Sequence, residues 1–384
     1  MQPVPPAPLD PAQLDLALAP FGESRMLPRD AYLSADVLAW ERQHLFQGWM
    51  CLGRAADIPP RGLRAESVGD YGILLTRDGD GELRAFENAC RHRGHELLPC
   101  GSSAEARAIV CPYHAWSYRH DGSLIGAPHF REVESFDPSA LGLTPVRVEQ
   151  WQGWVFVDRS GTATDLAEHI GDLEEIVAPY DAASLVTCET HEYDVAANWK
   201  VIVENYQECY HCSMIHPELC RVSPPDSGEN LERDGNWVGG WMALRDGAET
   251  MSLDGTSPIG PLPGLDDTAR RRVEYLGLVP NLLVSLHPDY VMAHRLRPLA
   301  PDRTWIECEW LFDPDALAMP GFDPGFAVDF WDLTNRQDWA ACESVQRGVG
   351  SRGYRQGPLS TEEDAVAHFA RLVAGAYLAG GWTG

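Results

Sequence analysis

The sequence predicts an α+β protein in which an all-β N-terminal part precedes a larger part that mixes antiparallel strands with helices. Three observations carry this expectation. From Trp49 to Val157, short apolar runs alternate with turn residues, the pattern of stacked hairpins. From Thr187 onward, strand-like and helix-like periodicities are interspersed. The chain has 384 residues, 44% of them hydrophobic and 23% charged, which is enough to bury cores in two or three domains.

Residues 1–45 open with a Pro-rich leader and continue into an apolar-periodic stretch, Ala31 to Phe46, expected as one short helix. Tyr71 to Arg77 and Glu82 to Asn88 read as strands around the turn Asp78-Gly79-Asp80-Gly81. Ala115 to Tyr118 leads into a second turn, His120-Asp121-Gly122. Trp154 to Val157 is the last buried strand of this part, and the polar run Asp158 to Thr164 is the linker. The expected division is therefore 1–45, a leader and helix packing on the C-terminal domain, then 46–160 and 161–384. In the last part, Thr187 to Val195, Leu282 to Leu286, Tyr290 to Leu296 and Thr304 to Phe312 read as antiparallel strands. Asn198 caps a helix expected to run to about His211. Two more helices, Phe326 to Arg347 and Thr361 to about Leu378, close the chain, the second opened by a Ser360/Glu363 capping box. Arg221 to Asn236 and Arg245 to Arg271 are long loops, and no internal repeat is present.

Thirty Lys plus Arg against 57 Asp plus Glu give a net charge of −27, and Lys200 is the single lysine. A nucleic-acid partner is excluded on this ground, because phosphate binding needs a concentrated basic surface. The longest apolar stretch, near Tyr275 to Leu286, is broken by Gly277 and Pro280 and is too short to span a membrane. The start, Met1-Gln2-Pro3-Val4-Pro5-Pro6, lacks the pattern of a secretory signal, so a cytoplasmic location is expected. In a reducing compartment the ten cysteines are expected as free thiols or metal ligands rather than a disulfide framework.

Two of those cysteines come with histidines. Cys90-Arg91-His92 and Cys111-Pro112-Tyr113-His114 each offer one thiolate and one imidazole from a tight loop. A structural zinc site more often draws a pair of one kind from each loop, and a zinc ribbon remains the alternative. The mixed C-x-H and C-x-x-H spacing suits a two-iron, two-sulfur cluster with the cysteines on one iron and the histidines on the other. Neutral imidazoles in place of thiolates raise the reduction potential of such a cluster. Cys51, Cys100, Cys188, Cys220, Cys308 and Cys342 have no such pairing.

A second group follows the cap at Asn198. In a regular helix, Glu204, Glu208 and His211 fall on one face. His216 comes five residues after His211, and Pro217 disfavours a helical conformation there, so the chain leaves the helix and folds the second imidazole back. A carboxylate must complete a metal site. Asp338 on the long helix is the first choice and Asp332 the second. Two imidazoles and one carboxylate leave three faces of an octahedral iron(II) open, which suits dioxygen beside a substrate.

With these residues in view, Cys90 to Gly94 and Cys111 to Trp116 resemble the two ligand loops of Rieske domains, although Ala115 stands where many members have Gly. Asn198-Trp199-Lys200, Glu204-Asn205-Tyr206, Glu208 to Cys212, His216-Pro217 and Asp338 are similar to the catalytic motif of Rieske non-haem iron oxygenase α subunits. The resemblance covers the chain from about Trp40. It implies a Rieske domain followed by a helix-grip catalytic domain. Cys90, His92, Cys111 and His114 would hold the cluster, with Tyr113 and Trp116 shielding it from water, and His211, His216 and Asp338 would hold iron(II). Glu208 and Asn205 would be catalytic residues, Glu208 bridging a cluster histidine of one subunit to the iron histidine of the next. Glu in place of the commoner Asp resembles the choline monooxygenase, glycine betaine demethylase and carnitine oxygenase branch. Gln346-Arg347-Gly348, Ser351, Tyr354, Gly357, Leu359-Ser360 and Glu363 are similar to that branch again.

The resemblance implies hydroxylation or oxidative N-demethylation of a small, betaine-like quaternary ammonium substrate, with O2 as co-substrate. Electrons would come from NAD(P)H through a separate reductase or ferredoxin, because no Gly-rich dinucleotide fingerprint is present in a strand-turn-helix context. A homotrimer is the implied assembly. Trp237, Trp241, Trp305 and Trp310 are the candidates for an aromatic cage around a cation. The alternative is ring hydroxylation or O-demethylation of an aromatic acid, its carboxylate held by Arg295 or Arg297.

Overall fold

The computed structural model of the chain describes residues 4–130, 132–231 and 234–382. The first three residues of the leader, and Glu232 and Arg233 of the loop Arg221 to Asn236, lie outside the described residues. The chain divides into two compact units, Phe46–Ala163 and the described residues of Met1–Leu45 with Thr164–Gly384.

In the unit Phe46–Ala163, a seven-stranded sheet has the order Trp49–Arg54, Trp154–Asp158, Pro145–Trp151, Leu83–Glu87, Tyr71–Arg77, Gly62–Val68, Ser102–Glu105. Asp78 closes one hairpin, as its carboxylate accepts from the backbone N–H groups of Asp80 and Glu82 at 3.0 and 2.9 Å. A three-stranded sheet, Ile109–Val110, Ser117–Tyr118 and Leu124–Gly126, carries the second Cys-His loop at its first turn. Leu74, Phe86, Ile109, Trp116 and Tyr118 form the core together with Cys90 and Cys111, so both cysteines lie on the apolar side of their loops. Gly122 has φ +82°, and a Cβ there would stand 2.4 Å from the Phe86 ring.

The other unit is built on a seven-stranded antiparallel sheet ordered Val186–Val195, Arg303–Phe312, Val291–Ala300, Leu282–Leu286, Arg272–Leu278, Trp237–Ala243, Glu229–Asn230. The helix Gly325–Val349 lies across it. Its buried residues include Ala327, Phe330, Trp331, Thr334, Asn335, Trp339, Cys342, Gln346 and Val349, the spacing of one helical face. Asn335 accepts from His294 Nε2 at 3.2 Å and donates to Cys308 Sγ at 3.7 Å, and His294 and Cys308 are register partners on adjacent strands. Among the described residues no helix is long and apolar enough to cross a membrane.

The structure corrects several expected elements. Ala31 to Phe46 is two helices, Arg29–Leu33 and Ala35–His44, because Ser34 adopts an extended backbone and its hydroxyl caps the second helix at Val37 N. The leader contains a further helix, Pro11–Leu18, capped by Asp10. The helix begun at Asn198 ends at Tyr206 rather than near His211, with Gln207 leaving helical geometry at φ −94°, ψ 7°. Strands Trp237–Ala243 and Arg272–Leu278, the second flanking a long loop, were not expected. The final helix begins at Asp364; Glu363 accepts the Ser360 N–H at 2.8 Å, just ahead of the helix.

The single lysine holds three helices together. Lys200 Nζ lies 2.7 Å from Glu41 Oε1, and both side chains are fully buried. Trp199 Nε1 and the Tyr377 hydroxyl donate to the same carboxylate, so the helices Ala35–His44, Trp199–Tyr206 and Asp364–Ala379 meet on it. Removing one partner of such a pair leaves the other charge buried and uncompensated. Lys200→Met is therefore expected to destabilise the protein by about 3–5 kcal/mol, read as a lower Tm in calorimetry.

Candidate functional site

The two Cys-His loops are the same turn built twice. Cys90 N donates to the His95 carbonyl and Gly94 N to the Cys90 carbonyl, both at 2.9 Å. Cys111 N donates to the Trp116 carbonyl at 2.8 Å and Ala115 N to the Cys111 carbonyl at 3.0 Å. The closing residue of each turn has a left-handed backbone, φ +73° at Gly94 and +57° at Ala115. That is why Gly suits the position; Ala115 adopts the conformation at a cost of about 1 kcal/mol. His92 comes two residues after its cysteine and His114 three, yet the rings meet with centroids 4.8 Å apart.

Trp116 is buried and stacks on His92, with centroids 4.9 Å apart and planes 4° apart. The Tyr118 hydroxyl lies 3.3 Å from Cys90 Sγ and accepts from Arg91 N at 3.1 Å. Burial pushes the Cys90 thiol up, and the neighbouring Cys111 sulfur adds to the effect. Tyr113 packs on the His114 ring with centroids 3.7 Å apart and is 51% exposed, whereas Trp116 is buried against His92. Two thiols approaching from the core and two imidazoles from the rim are the donors a two-iron, two-sulfur cluster takes.

In the second unit His211, His216 and Asp338 converge, each offering one ligand atom within 4.8 Å of the others. After Tyr206 the chain turns through Gln207 to Cys209, and His211 precedes a short helix, Cys212–Ile215. His216 then sits in a break at φ −118°, ψ 68°, before Pro217 starts another helix at its first position. Because the first helix ends early, Glu204 and Glu208 do not share a face with His211. Glu204 instead accepts from the Tyr32 hydroxyl at 2.6 Å, and burial pushes its pKa to about 8, against the lowering effects of Tyr32 and Lys200.

Glu208 folds onto His211, accepting from the imidazole Nδ1 at 2.5 Å and from the backbone N–H at 3.1 Å. Gln337 Oε1 accepts from His216 Nδ1 at 2.7 Å. With both Nδ1 positions occupied, the Nε2 atoms face Asp338 Oδ1, at 3.3 Å from His211 and 2.8 Å from His216. Burial lowers the His211 pKa, but hydrogen bonds and attraction to Asp338 and Glu208 outweigh it and raise it to about 9. For His216 the same contest, against Asp338, also ends with the pKa raised. Burial raises Asp338, and the two histidines override that and hold it below the usual carboxylate range. Two imidazole nitrogens and a carboxylate oxygen pointing at one place are the donor set that suits iron(II) with open positions. Asn205 reaches the same place, its Nδ2 lying 3.5 Å from His211 Nε2.

These residues line a cavity of about 450 Å³. Trp241, Tyr275, Trp331 and Trp339 supply aromatic wall, and Asp226, Glu229, Glu362 and Asp364 supply carboxyl groups beyond those of Glu208 and Asp338. Of the four tryptophans expected in a cage only Trp241 is there. Trp237 donates to the Asp234 carbonyl, Trp310 packs edge-on against His191, and Trp305 lies beneath Arg295 and Arg297. Asp332 is engaged with Tyr193, His191 and Arg336, away from the triad. Arg295 pairs with Glu307 at 2.8 Å and does not line the cavity, nor does Arg297. Sequence reasoning missed Gln337, whose only signal is its place beside Asp338. It also missed Trp331 and Trp339, which share the buried face of the long helix. Against the expectation of free thiols, Cys209 and Cys212 form a disulfide.

Comparison with known proteins finds a family for each of the two units. The ring hydroxylating alpha subunit (catalytic domain) family matches residues 182–379, and the Rieske [2Fe-2S] domain matches residues 48–137. The glycine betaine monooxygenase oxygenase subunit of Chromohalobacter salexigens is 31% identical over 89% of this chain and 84% of its own length. The carnitine monooxygenase oxygenase subunit of Acinetobacter pittii is 30% identical over 90% and 93%. Among solved structures, a quaternary ammonium Rieske monooxygenase described for carnitine oxidation and inter-subunit electron transfer superposes with a TM-score of 0.82 at 26% identity, over 97% of this chain and 100% of that one. The naphthalene 1,2-dioxygenase of Rhodococcus sp. shares the fold, with a TM-score of 0.75 at 20% identity over 92% and 94%. Two metal-binding units in the order this family uses, with matched relatives along almost the whole length, place the chain among the Rieske-type non-haem iron oxygenase alpha subunits.

Proposed function

We propose that the protein is the oxygenase component of a quaternary ammonium monooxygenase, hydroxylating a carbon attached to the substrate nitrogen. One observation carries this reading: the His211, His216 and Asp338 triad opens on a cavity whose wall is aromatic and whose charged described side chains, histidines aside, are all acidic. An aromatic face attracts a cation that has shed its water, and carboxylates add attraction. The matched relatives carry the names of glycine betaine, carnitine and choline monooxygenases. An aromatic acid has no cationic group for this wall to hold, and neither arginine expected to receive its carboxylate lines the cavity.

In this reading Cys90, His92, Cys111 and His114 hold the cluster, and His211, His216 and Asp338 hold the iron. The bound cluster supplies single electrons and the bound iron supplies dioxygen activation. Glu208 fixes His211 in the tautomer that turns Nε2 inward, and Gln337 does the same for His216. Asn205 stands beside the open side of His211. The aromatic wall excludes water and holds the ammonium group. Hydroxylation of an N-methyl group consumes O2, two electrons and two protons and releases water. The N-hydroxymethyl product then separates into formaldehyde, a proton and the demethylated amine.

The reading extends to assembly and supply. A carboxylate oxygen of Glu208 keeps lone pairs for a cluster histidine of an adjoining copy, and we infer a homotrimer that sets one copy's cluster beside the next copy's iron. Tyr210 and Met214, on either side of His211, are 63% and 86% exposed, apolar surface that such a neighbour would cover. A separate flavin or iron-sulfur reductase, drawing on NAD(P)H in the cytoplasm, completes the system.

Two measurements test this. Glu208→Gln is expected to retain iron and cluster while turnover falls roughly 10- to 100-fold, the usual effect of removing the partner of a metal-bound histidine; wild-type turnover at full metal content would reject the bridge. With a surrogate reductase, choline, betaines or carnitine should drive NADH oxidation, with formaldehyde formed if an N-methyl group is the target. Turnover confined to aromatic acids would replace this reading with the ring-hydroxylating one.

A further inference from the structure

Cys209 and Cys212 bracket the turn that carries His211. Cys209 follows Glu208 and Cys212 follows His211, and both line the cavity. They are joined by a disulfide with Cα atoms 4.9 Å apart, and none of the other eight cysteines is in a disulfide. Cys209 is partly exposed, Cys212 is 4% exposed and both line the cavity, so Cys209 is the more accessible of the two to peroxide formed there. An accessible thiol beside a resolving partner is the arrangement that reversible oxidation requires. In a reducing compartment a disulfide is usually transient or redox-sensing rather than structural.

We propose that Cys209 and Cys212 are a reversible redox-modification site, closed by hydrogen peroxide and reopened by small thiols, whose disulfide state slows turnover. Hydrogen peroxide is the two-electron reduction product of dioxygen, and an oxygen-activating site meets it whenever electrons arrive without substrate. The Cys209 thiolate attacks one peroxide oxygen, the O–O bond breaks, and a sulfenic acid forms while the other oxygen leaves as water. The Cys212 thiol then displaces the second water as the S–S bond forms. Two thiols thereby give two electrons and two protons to one peroxide, and two waters result. A small thiol reverses the step through a mixed disulfide.

The effect on turnover follows from what the ring encloses. Both carboxylate oxygens of Glu208 are engaged by His211, one with Nδ1 and one with the backbone N–H. The Cys209–Cys212 bond ties the residue after Glu208 to the residue after His211, so it restricts the turn that must adjust when a neighbouring copy's cluster histidine docks on the remaining lone pairs of the carboxylate. Opening it frees the turn. Peroxide made by idle oxygen activation thus shuts down the electron supply that produces it. This last link rests on the bridging role of Glu208; the oxidation itself does not.

The test uses the holoenzyme with a reductase. Reduced enzyme receives a stoichiometric pulse of hydrogen peroxide, free thiols are alkylated, and the peptide spanning residues 209–212 is weighed while turnover and the visible spectrum of the cluster are followed. The expected result is joint loss of alkylation at both cysteines and a several-fold fall in turnover at constant spectrum, both reversed by dithiothreitol. Cys209→Ser and Cys212→Ser, each compared with its own untreated sample, should lose no turnover to the same pulse. Retained alkylation at both cysteines overturns the proposal, as does an equal fall in the serine variants. Disulfide formation without loss of turnover, in an enzyme that Glu208→Gln does disable, overturns the regulatory half while leaving the bridge intact; if Glu208→Gln is also harmless, the bridge itself is rejected.

Discussion

The site depends on a constraint placed on two imidazole rings. Each of the two proposed ligand histidines has its Nδ1 occupied from outside, His211 by Glu208 and His216 by Gln337, and both Nε2 atoms face Asp338. A free imidazole exchanges tautomers readily, and a wrong one would present a proton where a lone pair is needed. The outer carboxylate and amide are therefore as much part of the proposed metal site as its proposed ligands are.

Holding those groups in place is the work of the surrounding fold. Gln337 and Asp338 are adjacent on a 25-residue helix whose buried face is anchored to the sheet through Asn335, His294 and Cys308. His211 and His216 lie on irregular backbone after the helix that Lys200 and Glu41 fix in the interior. A regular helix could not aim two histidines five residues apart at one point, so the break at His216 is a requirement of the site. In the other unit, the left-handed residues Gly94 and Ala115 let two short turns present their ligands to a shared position.

Much of this was legible in the sequence where the determinants are local. The Cys-His loops could be read because ligand and turn lie within a few residues, and the hairpin at Asp78 because its side chain closes its own turn. Asp338 needed the family resemblance, since a lone helical aspartate carries no local mark. The helix from Asn198 was overrun because nothing in the composition of Glu204 to His211 announces the break at Gln207, where the turn toward the metal begins. Gln337, Trp331 and Trp339 act through partners more than 40 residues away in sequence, and of the expected cage tryptophans Trp237 and Trp310 are buried in the core while Trp305 lies against Arg295 and Arg297.

The central claim is that His211, His216 and Asp338 bind an iron separate from the cluster. Iron and acid-labile sulfide counted per chain in wild type and Asp338→Ala test it most directly. The account predicts about three irons and two sulfides in the wild type. In the variant it predicts loss of one iron with sulfide and the cluster spectrum unchanged. A variant that keeps all its iron, or a wild type whose iron never exceeds its sulfide after reconstitution, would contradict it.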